Sequence, residues 1–321
     1  MEMLKRLTGC FGPSGSEEEI RETIKELIKD YADEVSEDVM GNLIARKKGT
    51  GKKIMLASHM DEIGVIITYI DDNGFLRFSP VGGLNTKDIL YNKVKFKNGT
   101  VGVIGTEKEN KDKLIPKMYI DIGAKNKEEA EKQVSVGDMA VFSGEFHKMG
   151  DAVISKALDN RAGCYVLIKT LEKAESRNDL YFVFTTQEEV GLRGAKTSAF
   201  KIDPDYAVAV DVTDTGDTPN CEEMAVEMGG GAAVKIMDRS VLCDSDIRTN
   251  LIESAKKAGV SYQLEVMTDG GTDAGAISGT RAGVKTGGLS IPTRYVHSPS
   301  EMASVKDIEG AVKILLEFIK M

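Results

Sequence analysis

The chain has 321 residues, 41% of them hydrophobic and 29% charged, and a formal net charge of −9. Such a length allows one large or two medium globular domains, and the composition argues against disorder as the default. The acidic balance argues against a nucleic-acid groove, which needs clustered cations, and no apolar run approaches the roughly 20 residues that span a bilayer.

The N-terminal MEMLKRLTGC lacks the apolar core of a signal peptide. Cys10, Cys164, Cys221 and Cys243 are far apart and have no CxxC spacing. They read as reduced thiols, and the protein as cytoplasmic. A first helix is expected from about Ser16 to Tyr31. Ser16 and Glu19 have capping-box spacing, and Ile20, Ile24, Leu27, Ile28 and Tyr31 form one apolar face. VSEDVMGNLIARKKG suggests two short strands around Gly41. The apolar run from Ile54 to Ala57 reads as a buried strand that delivers His59 and, two residues later, Asp61.

After Gly64 the texture becomes β-rich. Asn73-Gly74 and Asn98-Gly99 each mark a hairpin between β-prone runs. KNKEEAEKQV adds a helix-like insert before a strand around MAVFSG. Residues 63–157 therefore read as a small, barrel-like β module inserted into a body made of 1–62 and 158–321. His147, inside the module, has no neighbours at ligand spacing and reads as a surface or packing residue.

From Asp159 strands alternate with helices again. A helix is expected over Arg161 to Ala174, then strands from Leu180 to Thr186 and through YAVAVDVTD to Asp211. A helix follows from Ser245-Asp246 to a stop at Gly259, then a strand from Gln263 to Met267. The glycine-rich DGGTDAG turn precedes a strand that carries the chain to His297. The last helix starts at Ser304 with Asp307 at capping-box spacing. This alternation predicts an α/β fold, a mixed central sheet with helices on both faces, plus the inserted module.

In open α/β sheets, ligands sit beyond the carboxyl ends of the strands. His59, Glu188, Glu189, Asp211 and His297 all fall at that end of an expected strand, and Asp159 opens the helix where the chain re-enters the sheet. Two imidazoles and several carboxylates converging there suit a mixed nitrogen and oxygen site for zinc or a cobalt-like ion. His59 and Asp61 can lie on one side of a strand, a spacing that suits an imidazole ligand held by a carboxylate. Each residue also has a plainer reading alone: Asp159 as a helix cap, Asp211 as a turn former, His297 as a loop residue. Gly271, Thr272 and Asp273 in the glycine-rich turn either line a substrate pocket or make only a turn.

The ordered motifs SHMDEIG, ALDNRAG, QEEVGLRGA, DVT and SIPTRYVHSPSEM resemble the tetrahedral-aminopeptidase family. These are glutamyl or leucyl aminopeptidases with two metal ions, some of them formerly called endoglucanases. The resemblance covers essentially the whole chain. It implies a zinc-exopeptidase-like body acting on peptides, with two divalent ions per subunit: zinc or cobalt, with manganese as a further option. It implies that His59 and Asp211 hold one ion, Glu189 and His297 the other, and that Asp159 bridges them. Asp61 would orient His59, and Glu188 would be the general base. A cis peptide between Asp159 and Asn160 is implied too. The inserted module would mediate a homodimer, and dimers would build a dodecamer. The stretch EKENKDKLIPKMYIDIGAK departs from the family's proline-rich segment, so the resemblance supports the dimer more than the dodecamer.

Three rival readings remain at this point. A deacylase or carboxypeptidase with two metals could use the same ligands on another amide. A glycoside hydrolase needs two carboxyls across the scissile bond, which would leave both imidazoles idle, and the chain has no Trp to stack on sugars. An inactive scaffold would have been expected to lose a ligand or the base, and all are present.

Overall fold

The apolar runs that mark buried strands form the centre of one large mixed sheet. The structure is a computed structural model describing residues 1–221 and 223–321. Helices α1 (Glu2–Gly9) and α2 (Glu18–Ile28) lead into β1 (Glu34–Glu37), β2 (Leu43–Lys47) and β3 (Lys53–His59). Next come β4 (Gly64–Ile70), β5 (Leu76–Val81), β6 (Lys93–Phe96), β7 (Val101–Thr106), β8 (Met118–Asp121), α3 (Lys127–Glu131) and β9 (Met139–Phe142). The chain returns through β10 (His147–Met149), β11 (Ala152–Ser155), α4 (Leu158–Lys173), β12 (Asp179–Thr185), α5 (Arg193–Ile202) and β13 (Tyr206–Thr213). It ends with β14 (Ala232–Met237), α6 (Ser245–Ala258), β15 (Tyr262–Val266), α7 (Asp273–Ser278), β16 (Lys285–Arg294), β17 (Glu301–Ser304) and α8 (Val305–Phe318).

The main sheet has the order β1-β2-β12-β3-β13-β16-β17-β11-β10, with β14 pairing β16 and β15. Its centre, β12-β3-β13-β16, is parallel. Side chains alternate across it with period two. Ile54, Leu56, Phe182, Phe184, Val208 and Val210 pack on the face covered by α1, α2, α4, α6 and α8. Met55, Ala57, Val183 and Ala207 pack on the other, against α5 and α7. The expected mixed α/β sheet with helices on both faces is what forms.

Strands β4 to β9 close into a six-stranded barrel, β4-β5-β8-β7-β6-β9. Ile67, Phe78, Phe96, Ile104, Ile120 and Phe142 fill it. Both Asn-Gly turns sit where expected, between β4 and β5 and between β6 and β7. The barrel strands end at Phe142, earlier than the expected end of the module at 157. β11 already pairs with β17 in the main sheet, because Ala152–Ser155 lies in register with Ser304–Glu301, and β10 pairs with β11.

Neither expected capping box forms. α2 begins at Glu18, and the carboxylate of Glu19 accepts from Phe11 N instead. Ser304 does cap α8 by accepting from Lys306 N, but Asp307 turns away to accept from Gly229 N and Gly231 N.

Helix α4 lies hard against the sheet. A Cβ on Gly163 would stand 2.3 Å from Asn160 Oδ1, 2.4 Å from Ser58 Oγ and 2.8 Å from Val210 O. Only glycine permits this approach, which sets the first turn of α4 over the ends of β3 and β13.

Candidate active site

Four parallel strands deliver the polar residues to one end of the sheet. β3 ends at His59, β12 runs out into Glu188 and Glu189, β13 carries Asp211, and β16 leads to His297. Asp159 enters from the first turn of α4, and its peptide to Asn160 is cis. The structure thus brings together His59, Asp159, Glu188, Glu189, Asp211 and His297 around one cavity of about 520 Å³.

Asp159 sits between the imidazoles. Its Oδ1 is 3.0 Å from His59 Nε2 and its Oδ2 is 3.2 Å from His297 Nε2. Asp211 Oδ1 is 3.5 Å from His59 Nε2, and Glu189 Oε2 is 3.2 Å from His297 Nε2. Glu188 Oε2 stands further off, 3.9 Å from His59 Nε2. The geometry makes two half-sites that share one carboxylate.

These residues fit a metal centre. Glu189 Oε1 is buried without a hydrogen-bond partner, and among the described residues Asp159 Oδ1 has only the His59 imidazole beside it. Atoms of His59, Asp159 and Glu189 lie within 4.8 Å of one another. Buried, unpaired carboxylate oxygens are costly, and a divalent cation is what such a donor set satisfies.

The electrostatics agree. Burial opposes charge on both imidazoles, yet the carboxylates prevail: Asp211 and Glu188 hold His59 well above its usual pKa, and Glu189 and Asp159 push His297 up to about 12. Burial would raise Asp159, but His297 and His59 outweigh it and hold it below the usual carboxylate range. Burial raises Glu188 well above its ordinary value, with His59 opposing and Asp211 adding. Among the described residues, only the two imidazoles pair with these four carboxylates.

Asp61 stands against His59 and holds a loop as well. His59 Nδ1 lies 3.2 Å from the main-chain oxygen of Asp61 and 3.6 Å from its carboxylate. The carboxylate also accepts from Ser14 Oγ at 2.6 Å, Glu188 N at 3.0 Å and Glu189 N at 3.3 Å. It holds the loop that presents both glutamates.

Three holding residues escaped the sequence reading. Buried Glu301 accepts from Asp159 N and from His297 N, both at 3.0 Å. Its signal was its place four residues after His297, inside HSPSE. Ser14 and Glu17 come from the segment before α2. Glu17 Oε1 accepts from Gly15 N at 2.7 Å and Gln187 N at 3.2 Å. Gln187 and His297 both have left-handed backbones, φ +55° and +61°. The buried carboxylates of Glu17 and Glu301 thus hold the amides of residues in a conformation that costs non-glycine residues energy.

The glycine-rich turn divides. Gly271 and Thr272 line the cavity, as does Gly83 after β5 of the barrel. Asp273 does not: it is buried and accepts from Thr185 Oγ1 at 2.5 Å, because it starts α7, which packs behind the strands. His147 is exposed beside Glu145, away from the site, as expected.

The model of the M42 glutamyl aminopeptidase family matches residues 41–314. An Acetivibrio thermocellus protein named "Putative aminopeptidase" is 57% identical, over 99% of this chain and 98% of its own. The structure of an aminopeptidase from the archaeon Desulfurococcus kamchatkensis superposes with a TM-score of 0.96 at 40% identity, covering 99% of this chain and 94% of the other. A structure of the Pyrococcus horikoshii TET1 peptidase, described as able to assemble into a tetrahedron or a large octahedral shell, has a TM-score of 0.89 at 36% identity, covering 99% and 98%.

Glu17 yields a pH prediction. Burial, with Asp61 adding, raises its carboxyl from 4.5 to about 7. An acid raised by folding is favoured in its protonated form, so its contribution is full below pH 4.5 and is lost as pH rises to 7. The loss is about 3 kcal/mol at most. Glu17→Gln is expected to remove it, so urea denaturation should show the variant gaining on the parent as pH rises through this window. A pH-independent difference would refute the assignment.

Proposed function

The chain belongs to the M42 glutamyl aminopeptidase family, and from that premise we propose how its buried carboxylates and imidazoles carry out the reaction. The protein is a metal-dependent aminopeptidase that hydrolyses N-terminal residues from peptides. In our reading His59 and Asp211 would hold one divalent ion, His297 and Glu189 would hold a second, and Asp159 would contribute to both. The observation that carries this is the single carboxylate between two imidazoles. Zinc or cobalt suits the mixed donor set, and manganese is compatible with it. When bound, such ions supply Lewis-acid polarisation of the scissile carbonyl and lower the pKa of a water molecule.

The chain's own groups do the rest. Glu188 lines the cavity beside the half-sites and stands furthest from the imidazoles, which leaves its carboxylate for proton transfer. It takes a proton from the attacking water and returns it to the leaving nitrogen. The C–O bond forms, the C–N bond breaks, and an amino acid and a shortened peptide leave. The carboxylate of Asp61 fixes the Glu188-Glu189 loop, Glu301 fixes the backbones of Asp159 and His297, and Gly271 and Thr272 form part of the substrate wall.

We assign catalysis to the main-sheet body and dimer formation to the barrel. Exposed Tyr69, Val101, Val103 and Val136 on and beside the barrel strands support the second assignment. Assembly of dimers into a dodecamer is the further step, by analogy with the shells of the relative. We place the protein in the cytoplasm because its four cysteines are unpaired, which cell fractionation checks. No helix among the described residues is long and apolar enough to cross a membrane.

Three outcomes test this reading. With zinc or cobalt, a peptide with a free N-terminus is expected to shorten stepwise by mass spectrometry while its N-acetylated twin stays intact. Cleavage of the blocked form would point to a deacylase or carboxypeptidase. Glu188→Gln is expected to retain two metal ions by elemental analysis and lose roughly 10²- to 10⁴-fold in kcat. Normal turnover with full metal content would sink its role as base. Light scattering is expected to show a dimer or a multiple of it, and a monomer at working concentration would rule out the barrel contact.

A further inference from the structure

Glu188 and Glu189 stand on the loop that joins β12 to α5, and Gly191 and Leu192 of the same loop line the cavity. Its backbone is drawn tight. Gly191 N and Leu192 N both donate to Glu188 O at 2.9 Å, and Gly194 N donates to Thr186 O at 3.0 Å. Gln187 and Leu192 have left-handed backbones, φ +55° and +57°, a shape that non-glycine residues keep only under restraint. At the neck of the loop the restraint comes from far away in sequence. Asn42, the residue before β2, is fully buried, and its side-chain amide lies between the two ends of the loop. Its Oδ1 accepts from Thr186 N at 2.9 Å, and its Nδ2 donates to Gly194 O at 3.0 Å. Asp38 sets which way the amide points. Its Oδ2 accepts from Asn42 Nδ2 at 2.7 Å, while its Oδ1 accepts from Met40 N at 2.9 Å and Asn42 N at 3.0 Å. The fit leaves no room, since a Cβ on Gly194 would stand 2.2 Å from Asn42 Oδ1 and 2.5 Å from Thr186 O.

We infer that Asn42 is a positioning residue for the hydrolysis, whose amide closes the neck of this loop and so aims Glu188. The inference rests on the proposed site, since it takes Glu188 as the base and Glu189 as a ligand. A carboxamide carries a donor and an acceptor side by side, which is what the N–H at the end of β12 and the C=O at the start of α5 require. A carboxylate carries acceptors alone. Asp at position 42 would keep the bond from Thr186 N but set a negative oxygen against Gly194 O. The two glutamates respond differently to a loosened neck. Glu189 would be tied to its ion in the loaded enzyme, whereas the Glu188 side chain depends on its backbone for its aim. A reacting group displaced by about 1 Å loses on the order of 10²-fold in rate. Asn42 thus acts on turnover and leaves metal binding in place.

The test compares the metal-loaded parent with Asn42→Asp, with Gly194→Ala and with the exchange variant Asp38→Asn plus Asn42→Asp. All are assayed on one peptide that the parent cleaves, well below their melting temperatures. Asn42→Asp is expected to keep two metal ions by elemental analysis, hold KM within about threefold and lose roughly 10- to 100-fold in kcat. The exchange variant restores the hydrogen bond between positions 38 and 42 with its polarity reversed, and removes the repulsion of two carboxylates. It is expected to regain part of the lost melting temperature. It still opposes an acceptor to Gly194 O, so its kcat is expected to stay down. Gly194→Ala drives a methyl group between Asn42 and Thr186. It is expected to give the same loss from the other side of the neck, and it serves if Asn42→Asp fails to fold.

A folded Asn42→Asp or Gly194→Ala enzyme with the parent's kcat overturns the inference. So does a kcat that returns together with the melting temperature in the exchange variant, which would make the amide a matter of stability alone. A missing metal ion in Asn42→Asp overturns it as well, because the amide would then serve the ligand Glu189. Glu188→Gln in the same assay separates these results from failure of the proposed site. If that variant turns over normally, the base assignment falls and the inference falls with it. If it is inactive beside fully active Asn42 and Gly194 variants, the inference alone is struck.

Discussion

A single buried carboxylate shared by two imidazoles is the constraint that the rest of the molecule serves. Asp159 can stand between His59 and His297 only if three separate parts of the chain meet: the end of β3, the first turn of α4 and the loop after β16. The parallel centre of the sheet brings the strand ends to one side, and Gly163 lets α4 come down onto them. Four carboxylates in so small a volume would repel one another. The two imidazoles offset part of that repulsion, and divalent cations are the natural complement for the remainder.

The residues around this centre hold backbone more than side chains. Glu301 grips the amides of Asp159 and His297, Asp61 those of Glu188 and Glu189, and Glu17 that of Gln187. A carboxylate that accepts from amides fixes the main chain and so aims the side chains those amides precede. Left-handed Gln187 and His297 are where this matters most, since their backbones have the least intrinsic preference for the shape they adopt. The barrel takes part as well. A Cβ on Gly83 would lie 3.1 Å from His297 Nδ1, and one on Gly82 would lie 3.2 Å from Glu189 Cβ.

Much of this was legible in the sequence because it depends on local pattern. Apolar runs ending in His59, Glu188 and Asp211 announce buried strands that carry chemistry at their carboxyl ends, and Asn-Gly dipeptides announce hairpins. What was not legible depends on distant partners. Nothing near Ser14 or Glu17 says that they reach Asp61 and Gln187, since those contacts form only when the sheet closes. Glu19 and Asp307 have the spacing of capping residues, but Phe11 N in one case and Gly229 N and Gly231 N in the other offered better use. β10 and β11 look like part of the barrel because they are short and follow it, and only the pairing of β11 with β17, and of β10 with β11, assigns them to the main sheet. Asp273 lies in a turn whose neighbours line the cavity, yet α7 rotates it toward Thr185.

The site draws on segments far apart in sequence, with Ser14 bound to Asp61 and Glu301 bound to Asp159. During synthesis the first residues emerge from the ribosome well before β17 exists. A growing chain can fold its barrel and begin its sheet, but it lacks the strand that clamps Asp159 and His297. The hydrolytic centre is therefore completed only once β17 has been made. The order of translation keeps a peptide-cutting enzyme incomplete until β17 has emerged.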